Sequence, residues 1–168
     1  MTQHTLAAET DLLDLFRNTF RRHAGGVVVL TGRTPDGEPV GFTATSLASL
    51  SAVPARATLN VIKASSSWPA IFEGNRLAVN FLGADTEHLG ARFAGPTGER
   101  FQGDHWHEEH GLPVLTDAAV TLITEISAVI SQNDNAIVVL DILDGHLGEE
   151  QAPLLYHDRR FVTIAPAA

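Results

Sequence analysis

The 168-residue sequence contains no cysteine. That absence removes disulfide frameworks, thiolate nucleophiles, cysteine-ligated zinc and iron–sulfur clusters, so any redox chemistry has to arrive with a borrowed cofactor. Lysine is almost missing too: Lys63 stands alone among 11 basic residues, the rest being arginine. Cationic work therefore falls to planar guanidinium groups, and a lysine Schiff base is disfavoured. Set against 20 Asp and Glu, the basic residues leave a formal charge of −9 and form no stripe, which argues against nucleic acid and anionic lipid as partners. No apolar run approaches the roughly 18 residues of a membrane span, and Met1-Thr2-Gln3-His4-Thr5 has neither part of a secretion signal. The expectation is a soluble cytoplasmic protein. The G-x-G-x-x-G fingerprint is also missing, so a nicotinamide nucleotide, if used, is not held in a Rossmann crevice. Charged residues are only 18% of the chain while hydrophobic ones reach 44%. That is material for one packed core, and the length predicts a single domain over residues 1–168 with about 1–9 loose.

What is present reads first as a helix. Leu12, Leu13, Leu15, Phe16 and Phe20 share one side, Thr10 is placed to cap, Asp11 and Asp14 sit early, and Arg17, Arg21 and Arg22 sit late before Gly25-Gly26. The spacing predicts a helix over about residues 10–24. From Gly26 onward short apolar runs alternate with turn chemistry: Val27 to Thr31, the turn Thr34-Pro35-Asp36-Gly37, a return strand over 39–45, Thr58 to Ile62, and Leu77 to Leu82. Pro69 predicts a short helix ending near Gly74-Asn75, residues 86–94 another, and Gly95 to Pro113 a long irregular connection. Alternation is cleanest over Val120 to Ser131. After a turn at Asn133-Asp134-Asn135, a second long strand covers Ala136 to Leu147, and Leu154 to Tyr156 with Phe161 to Ile164 makes a closing hairpin around Asp158. About seven strands without β-α-β alternation predict a mainly β fold, a closed antiparallel barrel with a few short flanking helices.

Two segments stand out as ligand sites. Gly41-Phe42-Thr43-Ala44-Thr45-Ser46 sets small residues and hydroxyls where a strand runs out, so backbone N–H groups can approach a flat polar molecule; ordinary bonding at a strand end is the simpler explanation. Lys63-Ala64-Ser65-Ser66-Ser67-Trp68-Pro69 puts three hydroxyls and one cation at a helix entrance, where a plain cap needs one hydroxyl and an anion such as phosphate would use them all. His105-Trp106-His107-Glu108-Glu109-His110 gathers three imidazoles and two carboxylates, but its spacing is not H-E-x-x-H. In a Gly-rich stretch it reads as a solvated or interface segment, and no metal site is expected. Arg92 and Arg100 flank Gly95-Pro96-Thr97-Gly98-Glu99 and could clamp a phosphate; surface pairing with some of the 20 acids is the simpler reading.

Taken in order, Phe20 to Leu30 with its Gly-Gly-Val-Val-Val, Gly41 to Ser51, Ser65-Ser66-Ser67, Leu77-Ala78-Val79-Asn80-Phe81-Leu82, Arg92-Phe93-Ala94-Gly95 and Pro153-Leu154-Leu155-Tyr156-His157 resemble the flavin reductase-like family. These are the small reductase components of two-component flavin monooxygenases, and the resemblance runs from about Phe16 to Ile164. It implies a split β-barrel that binds FMN or FAD, a homodimer with flavin near the subunit interface, and NADH or NADPH as co-substrate. It places Thr43, Ala44, Thr45, Ser46 and Ser49 along the isoalloxazine and ribityl chain, Ser65, Ser66 and Ser67 on the phosphate, Asn60 facing the flavin, and Phe93 over part of the pocket. Hydride would pass from nicotinamide to flavin with no catalytic side chain, and reduced flavin would leave for a partner monooxygenase.

Many members carry Gly-Asp-His before the long penultimate strand, where this chain has Asn133-Asp134-Asn135. Asn135 can hydrogen-bond but cannot carry a proton or a charge. The nicotinamide side is accordingly assigned to Asn135, with His157 and Arg159 of the closing hairpin as further candidates. Two other readings stay open: a flavin-binding split barrel without reductase activity that serves as carrier, sensor or partner-binding module, and a metal held by the His105 to His110 run.

Overall fold

The computed structural model describes residues 2–164, the first nine of them as backbone only. Helix α1 (Thr2–Arg22) leads into strands β1 (Gly25–Gly26), β2 (Val28–Arg33), β3 (Pro39–Ala44), β4 (Ala48–Ala52), β5 (Ala55–Ile62) and β6 (Arg76–Phe81). Helix α2 (Glu87–Ala94) follows, then β7 (Trp106–Glu109), β8 (Leu112–Leu115), β9 (Val120–Gln132), β10 (Asn135–Leu147), β11 (Leu154–His157) and β12 (Arg160–Thr163). Seven strands form one sheet in the order β3-β2-β6-β9-β10-β5-β4, every neighbouring pair antiparallel. The fold is mainly β, as the sequence predicts.

Both faces of the sheet are covered at β2 and β6, which are buried along nearly their whole length, while β5, β9 and β10 keep one exposed face and alternate. On one face Val28 and Leu30 of β2, Leu59 and Val61 of β5, Val79 of β6, Ile126 of β9, and Val138 and Leu140 of β10 meet in a single core, as they can only if the sheet curls on itself. The opposite face of β2 presents Val29, flanked by Val27 and Leu82, to Leu89 and Phe93 of α2, Leu115 of β8 and Leu154 of β11. Asn80 fastens the second layer. Fully buried, it donates to the Val29 carbonyl (3.1 Å) and the Thr31 hydroxyl (3.2 Å), and accepts from the Leu115 N–H (3.0 Å) and the Thr121 hydroxyl (3.4 Å).

The structure corrects the sequence-based elements in four places. Helix α1 starts at Thr2, because Leu6-Ala7-Ala8-Glu9, expected to be loose, offers no breaker to propagation; the Thr10 side chain, expected to cap, lies outside the described residues. Residues 95–113 are not wholly irregular. The His-rich run is strand β7, turned into β8 by His110 and Gly111 at φ +52° and +77°, the left-handed pair a two-residue hairpin requires. The helix expected after Pro69 is one 3₁₀ turn, Trp68–Ala70, with Gly74 at φ +84° shortly after. Strand β4, Ala48–Ala52, is absent from the sequence-based elements: its five residues alternate apolar and polar, but the run is short and all of it is exposed in the single chain.

Helix α1 is long, and from Asp11 to Arg22 it is exposed on every side. Leu12, Leu15, Phe16 and Phe20 are each more than half exposed, at 65, 63, 59 and 58%. Its C-terminal turn is fastened to the β11–β12 hairpin by the Arg21–Asp158 ion pair and by the Asp158 N–H donating to the Arg21 carbonyl at 3.0 Å. That ion pair holds the Asp158 carboxyl below its ordinary range, chiefly through the hydrogen bond from Arg21.

Candidate functional site

A cavity of about 380 Å³ opens where β3 and β5 end beside α2. β3 and its exit contribute Phe42, Thr43, Ala44 and Ser46; β5 contributes Asn60, Val61 and Ile62; Ser65, Phe93, Ala94 and Arg100 complete the wall. Small residues on β3 are a packing requirement as well as an opening. A Cβ on Gly41 would lie 2.8 and 2.9 Å from two Phe93 ring carbons and 3.0 Å from the Leu30 carbonyl, so only glycine lets β3 lie this close to α2. Phe93 is fully buried and forms part of the cavity wall.

Most hydroxyls here are already spoken for. Thr43 donates to the Gly90 carbonyl at 2.7 Å, binding β3 to α2. Ser46 donates to the Asn60 carbonyl (3.1 Å) and accepts the Asn60 N–H (3.2 Å), which stitches the β3 exit to β5 and leaves the Asn60 side chain facing the opening. Ser67 is buried and donates to the Gly41 carbonyl at 3.2 Å, while Ser65 accepts the Ser67 N–H at 3.2 Å. With only a three-residue 3₁₀ turn behind them, these serines gain little from a helix dipole.

The positive charge at the serines is Arg100, not Lys63. Lys63 turns away and donates to the Asn133 carbonyl at 2.7 Å, pinning the β9–β10 turn beside the cavity. Arg100 donates to the Gly95 carbonyl through Nε (3.1 Å) and Nη2 (2.8 Å), and through Nη1 to the Gly41 carbonyl (2.7 Å) and the Ser66 hydroxyl (3.3 Å). Although the chain has 20 acids, Arg100 pairs with none among the described residues. Burial pushes its pKa down, the mark of a guanidinium whose lost hydration no carboxylate replaces. Arg92 forms no acid pair either; it donates to the carbonyls of Glu99 and Gln102 and so shapes the loop that carries Arg100. The surface-pairing reading of both arginines is thereby corrected, and Arg100 is the site residue that sequence reasoning undervalued.

The other candidates divide. Asn135, exposed, opens β10 opposite Ile62 of the cavity wall, and Asn133 fills the turn before it at φ +49°, a left-handed position that asparagine tolerates. Thr45 is exposed beside Gly25, outside the wall of this cavity; Ser49 lies on β4 in a separate apolar groove. His157 and Arg159 belong to the β11–β12 hairpin, with Arg159 at φ +63°, and are not part of the wall of this cavity. On the His-rich hairpin, Glu109 is approached by His107 (3.2 Å), His146 (3.6 Å) and His110 (3.8 Å). No group of described residues is arranged to hold a metal ion. No described helix is long and apolar enough to cross a membrane.

A curled antiparallel sheet with a cavity lined by serines and an arginine, and by no acid, where β3 and β5 end has the architecture of a split barrel. The family model for the flavin reductase like domain matches residues 20–165, and the chain belongs to that family. The NADH:FMN oxidoreductase of Rhodococcus qingshengii is 33% identical over 157 residues, covering 90% of this chain and 81% of that protein. Among solved structures, a flavin reductase domain protein of Arthrobacter sp. FB24 superimposes with a TM-score of 0.87 at 44% identity, over 92% of this chain and 97% of the other. The NADH:FAD oxidoreductase SgcE6 of Streptomyces globisporus, solved with NAD and FAD fragments, matches at 26% identity and a TM-score of 0.81, over 91% and 93% of the two chains.

Proposed function

We propose that this protein is an NAD(P)H:flavin oxidoreductase that reduces FMN or FAD in the cavity between β3, β5 and α2 and supplies reduced flavin to a partner monooxygenase. One observation carries the assignment: Arg100, a partly buried guanidinium without a carboxylate partner among the described residues, donates to the Ser66 hydroxyl and shares with Ser65 the wall of a cavity that no acid lines. The donor set fits a flavin phosphate, and the apolar side of the wall, Phe42, Val61 and Ile62, fits a ring. Bound flavin supplies the hydride acceptor. The chain's share is to orient the rings through Asn60 and the β3 exit, to hold the phosphate with Arg100 and Ser66, and to exclude water with Phe93 and its neighbours. No described wall residue is an acid or a histidine, which supports hydride transfer without a catalytic side chain. Asn135 faces the nicotinamide side in this reading.

A homodimer is part of the proposal. The apolar stripe of α1 and a groove of about 760 Å³ lined by β4, Val79, Phe81, Leu122 and Ile142 both lie open in the single chain, a pattern that favours burial against a second copy. The flavin and nicotinamide pools it would draw on support action in the cytoplasm. The test is direct: purified protein with FMN or FAD should oxidise NADH or NADPH well above the protein-free background and elute from a sizing column as a dimer. Flavin binding without nucleotide oxidation would instead leave a carrier.

A further inference from the structure

Lys63, the one lysine of the chain, stands between two residues of the cavity wall and reaches away from both. Ile62 and Ser65 line the cavity, and the Ser65 N–H donates to the Ile62 carbonyl at 3.0 Å, closing a tight turn in which Lys63 is second. Lys63 itself is not in the wall. Its backbone N–H donates to the Asp134 carbonyl at 2.9 Å and its ammonium to the Asn133 carbonyl at 2.7 Å. Two consecutive carbonyls of the β9–β10 turn are thus taken by one residue of another segment.

Little else holds that turn. Asn133 and Asp134 are the only residues between the paired Gln132 and Asn135, all four are exposed, and Asn133 stands at φ +49°. Among the described residues no other side-chain hydrogen bond reaches 132–135, and Lys63 meets no carboxylate. Its charge therefore strengthens a bond to a backbone carbonyl and neutralises nothing. Asn135 is the first residue of β10 to pair with β5, directly opposite Ile62. Where the turn sits accordingly decides where the Asn135 amide sits relative to the cavity.

We propose that Lys63 is a positioning residue for the nicotinamide: its ammonium holds the 133–135 turn so that Asn135 meets the dihydronicotinamide ring, and it touches neither flavin nor nucleotide itself. This rests on the assignment of Asn135 to the nicotinamide side. A turn in place for only part of the time raises KM by the inverse of that fraction and leaves the docked complex, and with it kcat, as it was.

Lys63→Met keeps the stem and removes the donor, Lys63→Arg keeps a charged donor, and thermal melts check that each variant folds. In flavin-free protein, hydrogen–deuterium exchange over residues 132–136 should quicken about tenfold in Lys63→Met and return towards wild type in Lys63→Arg. KM for NADH should rise about fivefold in Lys63→Met, with kcat within about twofold and a return towards wild type in Lys63→Arg. KM for dihydronicotinamide riboside, which has no phosphate, should rise by the same factor, while FMN affinity stays within about twofold. In an Asn135→Ala background Lys63→Met should add nothing, because it acts through that side chain.

Exchange or KM unchanged in Lys63→Met would overturn the proposal, as would a loss of FMN affinity as large as the rise in KM. A KM rise confined to NADH, the mark of an ammonium bound directly to phosphate, or an equal rise in the Asn135→Ala background would overturn it too. Asn135→Ala with the wild-type KM would strike the nicotinamide assignment itself, and the proposal with it.

Discussion

Replacing Arg100 by methionine separates charge from packing at the flavin rim. The side chain keeps its length and apolar stem but loses the fork that meets Ser66 and the carbonyls of Gly41 and Gly95. A hydrogen bond to a charged group contributes about 1.5–3 kcal/mol, so losing the one that reaches the phosphate should weaken FMN roughly ten- to 150-fold. Riboflavin, the same ring without phosphate, is the control: its affinity should change by less than about threefold, because the ring wall contains no atom of the deleted fork. Arg100→Lys retains charge without bidentate geometry and should fall between the two. Both ligands are titrated by flavin fluorescence against wild type and variants, with melting temperatures taken alongside. If FMN and riboflavin weaken equally, Arg100 acts by shaping the 95–100 loop, and the phosphate assignment fails.

Asn80→Ala should destabilise by about 2–4 kcal/mol in urea unfolding, since it strands the buried Leu115 N–H and the carbonyl of Val29; a loss under about 1 kcal/mol would show that water replaces the side chain. Gly41→Ala forces a Cβ to 2.8 Å from the Phe93 ring and should cost about 1–3 kcal/mol together with flavin affinity, both read from one melt with and without FMN. The hydrogen bonds from Arg56 and Ser127 hold the Asp141 carboxyl below its ordinary value. Its stabilisation is therefore present above the unfolded-state value of about 4 and lost as pH falls through the lower folded one. Asp141→Asn should flatten the acid limb of melting temperature against pH, and an unchanged limb would count against the pairing. Asn135→His should add to the pH profile of hydride transfer a titration near pH 6.5 that the wild type lacks; a variant profile identical to the wild type's would move the nicotinamide elsewhere.

The long strands were legible because each has a face that water never reaches. Ile126, Val138 and Leu140 bury the same side over β9 and β10, and the alternation survives in the sequence. Strand β4 had no such contrast, since its exposure is uniform in the single chain. The His-rich run masked β7 because its register depends on two left-handed residues, one of them a histidine, which composition does not advertise. At the site, the serines could be found from their clustering. Arg100 could not be ranked above Arg92, because what distinguishes it is the absence of an acid partner in three dimensions. Lys63 stands next to the serines in sequence and reads as their cation, yet its bond to the Asn133 carbonyl joins segments 70 residues apart.

The cavity wall consists of aliphatic, phenyl, hydroxyl, amide and guanidinium groups, with no sulfur and no indole, phenol or imidazole among the described residues. Dihydroflavin that meets dioxygen before reaching its consumer yields hydrogen peroxide at the very mouth where it was made. A chain with no thiol and with Met1 as its single thioether offers that oxidant almost nothing to attack. Leaky turnover should thus injure neighbouring proteins sooner than the one that causes it.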